Sequence, residues 1–213
     1  PANGWMPADL YLSGNVKAAL AQAKEAAQRD ARFQRNVNAL MAVQPADINP
    51  SDIFVKIGSP WVSVADYNDF AKETFGGSVS GSFMPAVGNW SVDVKRGSAT
   101  ETDNTFGTRR MGADRIIETL MGNKQVAVYD EYKDADGNTK RILNTEETAA
   151  AQGKADALAE AFQEWIWKDN DRRERLSRTY NDTYNTNVKR TYDGSHLTLP
   201  GANVAIQLRP HQL

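Results

Sequence analysis

No cysteine occurs among the 213 residues, and histidine appears only as His196 and His211. Disulfides and thiolate chemistry are thereby excluded, and a zinc site of the usual Cys/His kind cannot be assembled, so any metal would be bound by oxygen. No run approaches the roughly eighteen apolar residues that cross a bilayer, and no charged-then-apolar leader opens the chain. A cytoplasmic location with no membrane partner is the expectation. Neither a GxxxxGK[ST] loop nor a GxGxxG turn is present, which leaves nucleotide phosphates without a cradle.

Three stretches imitate catalytic or metal motifs and fail on geometry. Gly77-Ser78-Val79-Ser80-Gly81 has the outline of a nucleophile elbow, but Val79 stands where the serine belongs. Asp134-Ala135-Asp136-Gly137-Asn138 has the flavour of a calcium loop, yet with Gly137 in the sixth place Tyr132 and Leu143 fall at the first and twelfth; it reads as a hairpin turn. Asp193-Gly194-Ser195-His196 holds the residue types of a hydrolase triad, but neighbours so close in sequence do not form the relay. No catalytic residue and no metal site are expected.

What is there is an ordinary globular composition, 40% hydrophobic and 24% charged, with an uneven charge distribution under a net charge of -2. Residues 165–213 hold eight Lys/Arg against five Asp/Glu, a balance of +3 that leaves -5 for the rest. Arg172, Arg173, Arg175, Arg178, Lys189 and Arg190 interleave with Trp165, Trp167, Tyr180, Tyr184 and Tyr192. Cations with aromatics are what a phosphate-contacting, base-stacking surface needs, although arginines on a helix are more often its solvated face.

The patterning predicts an α+β fold. A helix begins near Ser13, read as its N-cap, with Val16, Leu20, Ala23 and Ala27 on one face. A second spans residues 31–43 with Phe33, Val37, Leu40 and Met41 as its stripe, giving an N-terminal helix pair. A helix over 64–75 ends at Gly76-Gly77. Alternation over 79–83 and 90–94 predicts strands, 97–108 a loop, and 111–121 a helix that Gly122 closes in a left-handed conformation. Strands at 125–132 and 139–143 flank the Asp136-Gly137 turn, completing a small, mainly antiparallel sheet. Asn144 then caps a long helix, with Glu147 reaching back to it and Ala155, Leu158, Ala159, Phe162, Trp165 and Ile166 as its face. A break at 169–171 precedes a last helix, and an extended tail follows from Asn185. The parts divide as 1–76, 77–143 and 144–213, expected to pack as one unit.

Several blocks are familiar in combination: Asn144-Thr145-Glu146-Glu147-Thr148-Ala149-Ala150-Ala151-Gln152, Phe162 to Asp169 with Arg172-Arg173, Tyr180-Asn181 with Tyr184-Asn185, and Tyr192 to Leu197 followed by Pro200-Gly201. With Leu208-Arg209-Pro210-His211-Gln212, and with residues 11–16 and 57–62 near the other end, they resemble one region of very large fused proteins. That region links an N6-adenine DNA methyltransferase to a SNF2-like, superfamily-two helicase in proteins of phages, plasmids and integrative elements, including phage antirestriction proteins. The resemblance implies a methyltransferase before Pro1 and an ATP-binding loop after Leu213, with ATP and S-adenosylmethionine as cofactors of the parent and none in this chain. It also implies that Leu208 to Gln212 is a Q-type motif whose Gln212 amide pairs with the adenine of ATP. The start without Met and the stop at Leu213 fit a piece of a longer protein.

The function this reading predicts is non-catalytic. The chain would act as a spacer and DNA-engaging module beside the helicase motor, its partners being double-stranded DNA and the neighbouring methyltransferase and helicase domains. Arg172, Arg173, Arg175, Arg178, Lys189 and Arg190 would contact phosphates without reading sequence. The alternative is a purely structural module that docks on its neighbours and never meets DNA.

Overall fold

A computed structural model describes residues 6–191 and Gly201. The fold is α+β. In chain order the elements are α1 (Ala8–Tyr11), β1 (Gly14–Asn15), α2 (Val16–Arg29), α3 (Gln34–Ala42) and α4 (Val64–Phe75), then β2 (Ser78–Met84), β3 (Asn89–Lys95) and α5 (Ala113–Met121). They continue with β4 (Tyr129–Lys133), β5 (Thr139–Leu143), α6 (Thr145–Lys168), α7 (Asn170–Thr183) and β6 (Asn187–Val188). Among the described residues the strands make three separate antiparallel ribbons, β1 with β6, β2 with β3 and β4 with β5.

The described residues form two compact units, one of residues 6–48 together with 180–191, the other of Asn49–Thr179. Neither boundary coincides with the divisions at 76/77 and 143/144 that the sequence suggests. In the first unit the helix pair buries Val16, Ala23, Val37 and Leu40, with Leu20, Ala27 and Val188 packed against them. Phe33 and Met41, expected in that stripe, are exposed. The cap of α2 is Asn15 rather than Ser13: Asn15 accepts the Ala18 amide at 2.9 Å, while Ser13 Oγ donates to the Leu10 carbonyl. A long-range cause moves the start, since Gly14 and Asn15 pair with Val188 and Asn187, and the Val16 amide donates to the Thr186 carbonyl.

The connector that leaves this unit is held by side-chain amides. Asn181, 2% exposed, accepts from the Ile48 amide at 2.8 Å and donates to the Ile48 carbonyl at 3.1 Å, acting as one rung of a strand ladder; Asn185 donates to the Ala46 carbonyl. A buried amide used this way satisfies backbone groups that would otherwise be stranded.

The second unit repeats the device. Gln163 on α6 accepts from the Val55 amide and donates to the Ile53 carbonyl. Ile53, Val55 and Ile57 therefore point inward along an extended segment, whereas Phe54 between them is 79% exposed. The core of this unit gathers Tyr67, Phe70, Ala71 and Phe75 from α4, Ile116, Ile117 and Met121 from α5, and Leu158, Phe162, Trp165 and Ile166 from α6. Phe162 is its centre, stacked on Tyr67 at 5.4 Å and edge-on to Phe70 at 5.0 Å between ring centroids. Ala159, placed on that face by its spacing, is exposed.

Local signals set the ends. Ser63 and Asp66 form a reciprocal capping box at the start of α4, and Gly76 closes the helix at φ +72°. Gly122 does not adopt the left-handed conformation expected of it (φ -73°); Asn123 does so instead, at φ 51°. Asparagine tolerates that region because its short polar side chain bonds locally. Asn144 caps α6 through the Glu147 amide, but its own N–H donates to the Val128 carbonyl rather than to Glu147. In the stretch read as a loop, residues 101–105 wind into one π turn, and the Lys154 ammonium takes the carbonyls of Asn104 and Thr105.

Candidate nucleic-acid interface

Four of the six predicted phosphate contacts lie on α7 within the second unit, and two follow β6 in the first. The sequence of α7 forms a helix because Asp169 accepts the Arg172 amide at 2.8 Å at its start and Leu176 supplies a fully buried anchor in its middle. Its arginines do different things.

Arg172 folds back on the preceding helix. Its guanidinium carbon sits 3.5 Å from the centroid of the Trp165 ring, its Nε donates to the Ile166 carbonyl at 3.1 Å and one Nη to the Trp165 carbonyl at 2.8 Å. The last carbonyls of a helix have no partners within it, and here a cation from the next helix supplies them. Trp165 is itself buried and donates its indole N–H to Glu73 at 2.6 Å, which makes it core rather than a base-stacking surface. Arg172→Ala is expected to lower the unfolding free energy by about 1–3 kcal/mol, because two carbonyl partners and the cation–π contact go together. Urea denaturation reads this out, and an unchanged midpoint would show that the arginine holds nothing.

Arg175 donates to Asp66 at 2.6 Å. The carboxylate is buried and the guanidinium half exposed, so one nitrogen ties α7 to the capping box of α4 while the others face solvent. Arg173 and Arg178 are exposed; Arg173 makes a local bond to Asn170. Arg175 and Arg178, three apart, share a helix face, and Arg173 projects from another. Asp171, Glu174 and Asp182 are interspersed with them, so α7 carries four arginines against three acids. The surface is mixed in sign.

In the first unit Lys189 is exposed. Arg190 pairs with Asp9 at 2.5 Å, and the guanidinium holds the Asp9 carboxyl below the usual carboxylate range. Lys17, which sequence reasoning did not single out, is engaged by the Asn181 carbonyl and Asp182. Gln212, and with it the Leu208 to Gln212 block and both histidines, lie outside the described residues. Among the described residues no group of three or more His, Cys, Asp or Glu is arranged to hold a metal ion, and no helix is long and apolar enough to cross a membrane.

A family model, Domain of unknown function (DUF8437), matches residues 56–186. The chain belongs to the DUF8437 family. No curated protein and no solved structure matches it. The DUF8437 segment takes in α4 to α7 and both longer ribbons; Arg172, Arg173, Arg175 and Arg178 fall inside it, and Lys189 and Arg190 fall beyond it. Two of the stretches singled out in the sequence, residues 57–62 and 162–169, meet within the segment's core. Gly58 and Ser59 are clamped by Tyr67, whose hydroxyl accepts from the Gly58 amide and donates to the Ser59 carbonyl, and the Trp90 indole donates to the Gly58 carbonyl. Burial pushes the Tyr67 hydroxyl well above its ordinary pKa. Tyr67 in turn stacks on Phe162 of the second block. These blocks are architectural.

Proposed function

We propose that this chain is a non-catalytic spacer and DNA-engaging module, set beside the helicase motor of a fused methyltransferase and helicase. The division of labour on α7 carries the reading. Arg172 and Arg175 fix the helix to its unit, and Arg173, Arg178 and the free edge of Arg175 stand in solvent, where phosphates could reach them. Cations on a rigid element position a duplex without reading it. Gln212, by resemblance, would contribute the adenine contact of ATP once the motor's phosphate loop is joined to it, and S-adenosylmethionine would belong to the methyltransferase part.

The test is a salt titration of duplex binding by this chain and by its Arg173→Glu/Arg178→Glu variant. Each lost phosphate contact should flatten the dependence of log K on log salt by about 0.9, so the variant should lose close to two and bind more weakly at every salt concentration. Both side chains are exposed, and the melting temperature should stay where it was. Equal slopes and affinities would overturn the reading.

A second reading, a docking module that never meets DNA, is supported by the mixed charge of α7 and by the β4–β5 ribbon. Tyr129, Tyr132, Ile142 and Leu143 are exposed there, and its charges are largely paired internally, Arg141 with Glu131 and Lys140 with Asp134. A two-stranded ribbon with neither face covered is marginal by itself. Absence of duplex binding at low salt, together with tight binding to a separately produced motor, would favour it.

A further inference from the structure

Two buried oxygens of the second unit lack a hydrogen-bond partner among the described residues. One is Oγ1 of Thr102, a residue that is completely buried, and the other is Oδ1 of Asp114, a residue only 8% exposed. A buried carboxylate oxygen without a donor or a cation is among the most costly groups a fold can hold, and native folds keep one only where something satisfies it. Asp114 stands in the first turn of α5, where the helix dipole favours a negative charge. The dipole accounts for an acid at that position, but not for burying one of its oxygens unbonded. The two cations bound to the adjoining 101–105 turn are engaged elsewhere, Arg96 on Asp103 and Lys154 on the carbonyls of Asn104 and Thr105.

The unbonded groups belong to one cluster wrapped around Gly112. A Cβ built on Gly112 would stand 2.5 Å from Asp114 Oδ1, 3.1 Å from Thr102 Cγ2 and 3.2 Å from Asp103 Oδ1. Three side chains therefore converge beside a position that glycine alone fits, two from the π turn and one from α5. Gly107 is as tight, a Cβ there meeting the Thr102 carbonyl oxygen and the Ala113 amide, which locks the turn against the start of the helix. Arg96 holds both oxygens of Asp103, at 2.5 and 2.6 Å, through a guanidinium that is more than half exposed. Carboxylates this close repel one another, and a single arginine answers only one of them.

Carboxylate and hydroxyl oxygens are ligands for hard cations, and one or two carboxylates completed by water are how magnesium is commonly held. We propose that Asp114, Thr102 and Asp103 form a site for a hard divalent cation such as magnesium. Asp114 Oδ1 and Thr102 Oγ1 are the inner ligands, Asp103 is the outer one, and water fills the remaining positions. Arg96 competes with the ion for Asp103 and turns into solvent when the ion binds. The site uses none of the α7 arginines, so it stands whether or not the chain engages DNA.

The experiment is thermal unfolding and calorimetric titration of the full chain, treated with a chelator and then given magnesium, manganese or calcium chloride at constant ionic strength. With the ion in hundredfold excess over Kd, the wild type should melt about 5 °C or more higher. Asp114→Asn and Thr102→Val keep the side-chain shapes and remove the charge and the hydroxyl, and each should weaken binding about tenfold or more. Arg96→Gln removes the competitor and should bind about tenfold more tightly, a gain that a merely structural arginine would not give. No response of the wild type to any of the three ions would overturn the site, and this outcome does not depend on a variant folding. A response that Asp114→Asn retains in full would assign the ion to the general surface and overturn it equally. Unchanged affinity in Arg96→Gln would overturn the three-residue site by removing Asp103 from it.

Discussion

Replacing Phe162 by alanine is expected to remove about 3–5 kcal/mol from the stability of the unit that contains it, the range for deleting a fully buried aromatic ring from a packed core. The ring is completely buried, and its neighbours Tyr67, Phe70 and Trp165 come from two different helices. Each of two neighbours is also held by something else: Tyr67 by its bonds to Gly58 and Ser59, Trp165 by Glu73 and Arg172. They are therefore poorly able to collapse into the space, and the loss should fall in the upper part of that range. Guanidinium chloride unfolding followed by tryptophan fluorescence gives the number. A change below about 1 kcal/mol would mean that the site refills and that the aromatic cluster is not the keystone of the unit. Ala159→Ser, on the same helix but exposed, is the control and should change little.

Gly58→Ala should be nearly as damaging for a different reason. Gly58 has φ +90°, and a Cβ built on it would stand 2.9 Å from the Met121 Cα and 3.1 Å from the Leu120 carbonyl oxygen. Holding a side chain in that backbone region costs about 1–3 kcal/mol by itself. The clash is with backbone, which cannot rotate away as a side chain would. Relief requires shifting either the end of α5 or the Gly58-Ser59 turn, and the turn is gripped by Tyr67 and Trp90. Thermal unfolding of the variant should show a clear drop in melting temperature. A variant as stable as the wild type would mean that the turn is looser than its hydrogen bonds indicate.

Features that local chemistry dictates are legible in the amino-acid sequence alone. Alternation locates the Trp90-Val92-Val94 face, Asp136-Gly137 marks a turn that does hold Gly137 at φ +80°, and Asn144 caps its helix. The spacing of Leu158, Phe162, Trp165 and Ile166 marks the buried side of α6. Expectation and fold part company where distant chain decides. Ser13 loses the cap to Asn15 because β6, more than 170 residues away, pairs just before it. Phe54 looks like any member of an apolar run until Gln163 fixes the parity of the segment from across the unit. The arginines show the same limit most plainly. Six similar cations in one stretch separate into helix cap, ion pair and exposed side chain only when partners such as Asp66 and Asp9 arrive from more than 100 residues away. The Ser63–Asp66 box is local, but aspartate in place of the usual glutamate or glutamine obscures it.

The discontinuous make-up of the first unit bears on how the polypeptide matures during translation. The α2–α3 pair leaves the ribosome early, yet the groups that complete it, Asn181 for the Ile48 backbone, Thr186 for the Val16 amide and Val188 for the apolar core, are synthesised about 130 to 170 residues later. At elongation rates of about 5–20 residues per second, the nascent helices wait for on the order of ten seconds or more with Val16 and Leu40 incompletely covered. During that interval the intervening segment is complete enough to build its aromatic core first. A released chain truncated shortly after Thr179 would thus present one finished globule and one open helical hairpin, the form of this protein most exposed to chaperones and proteases.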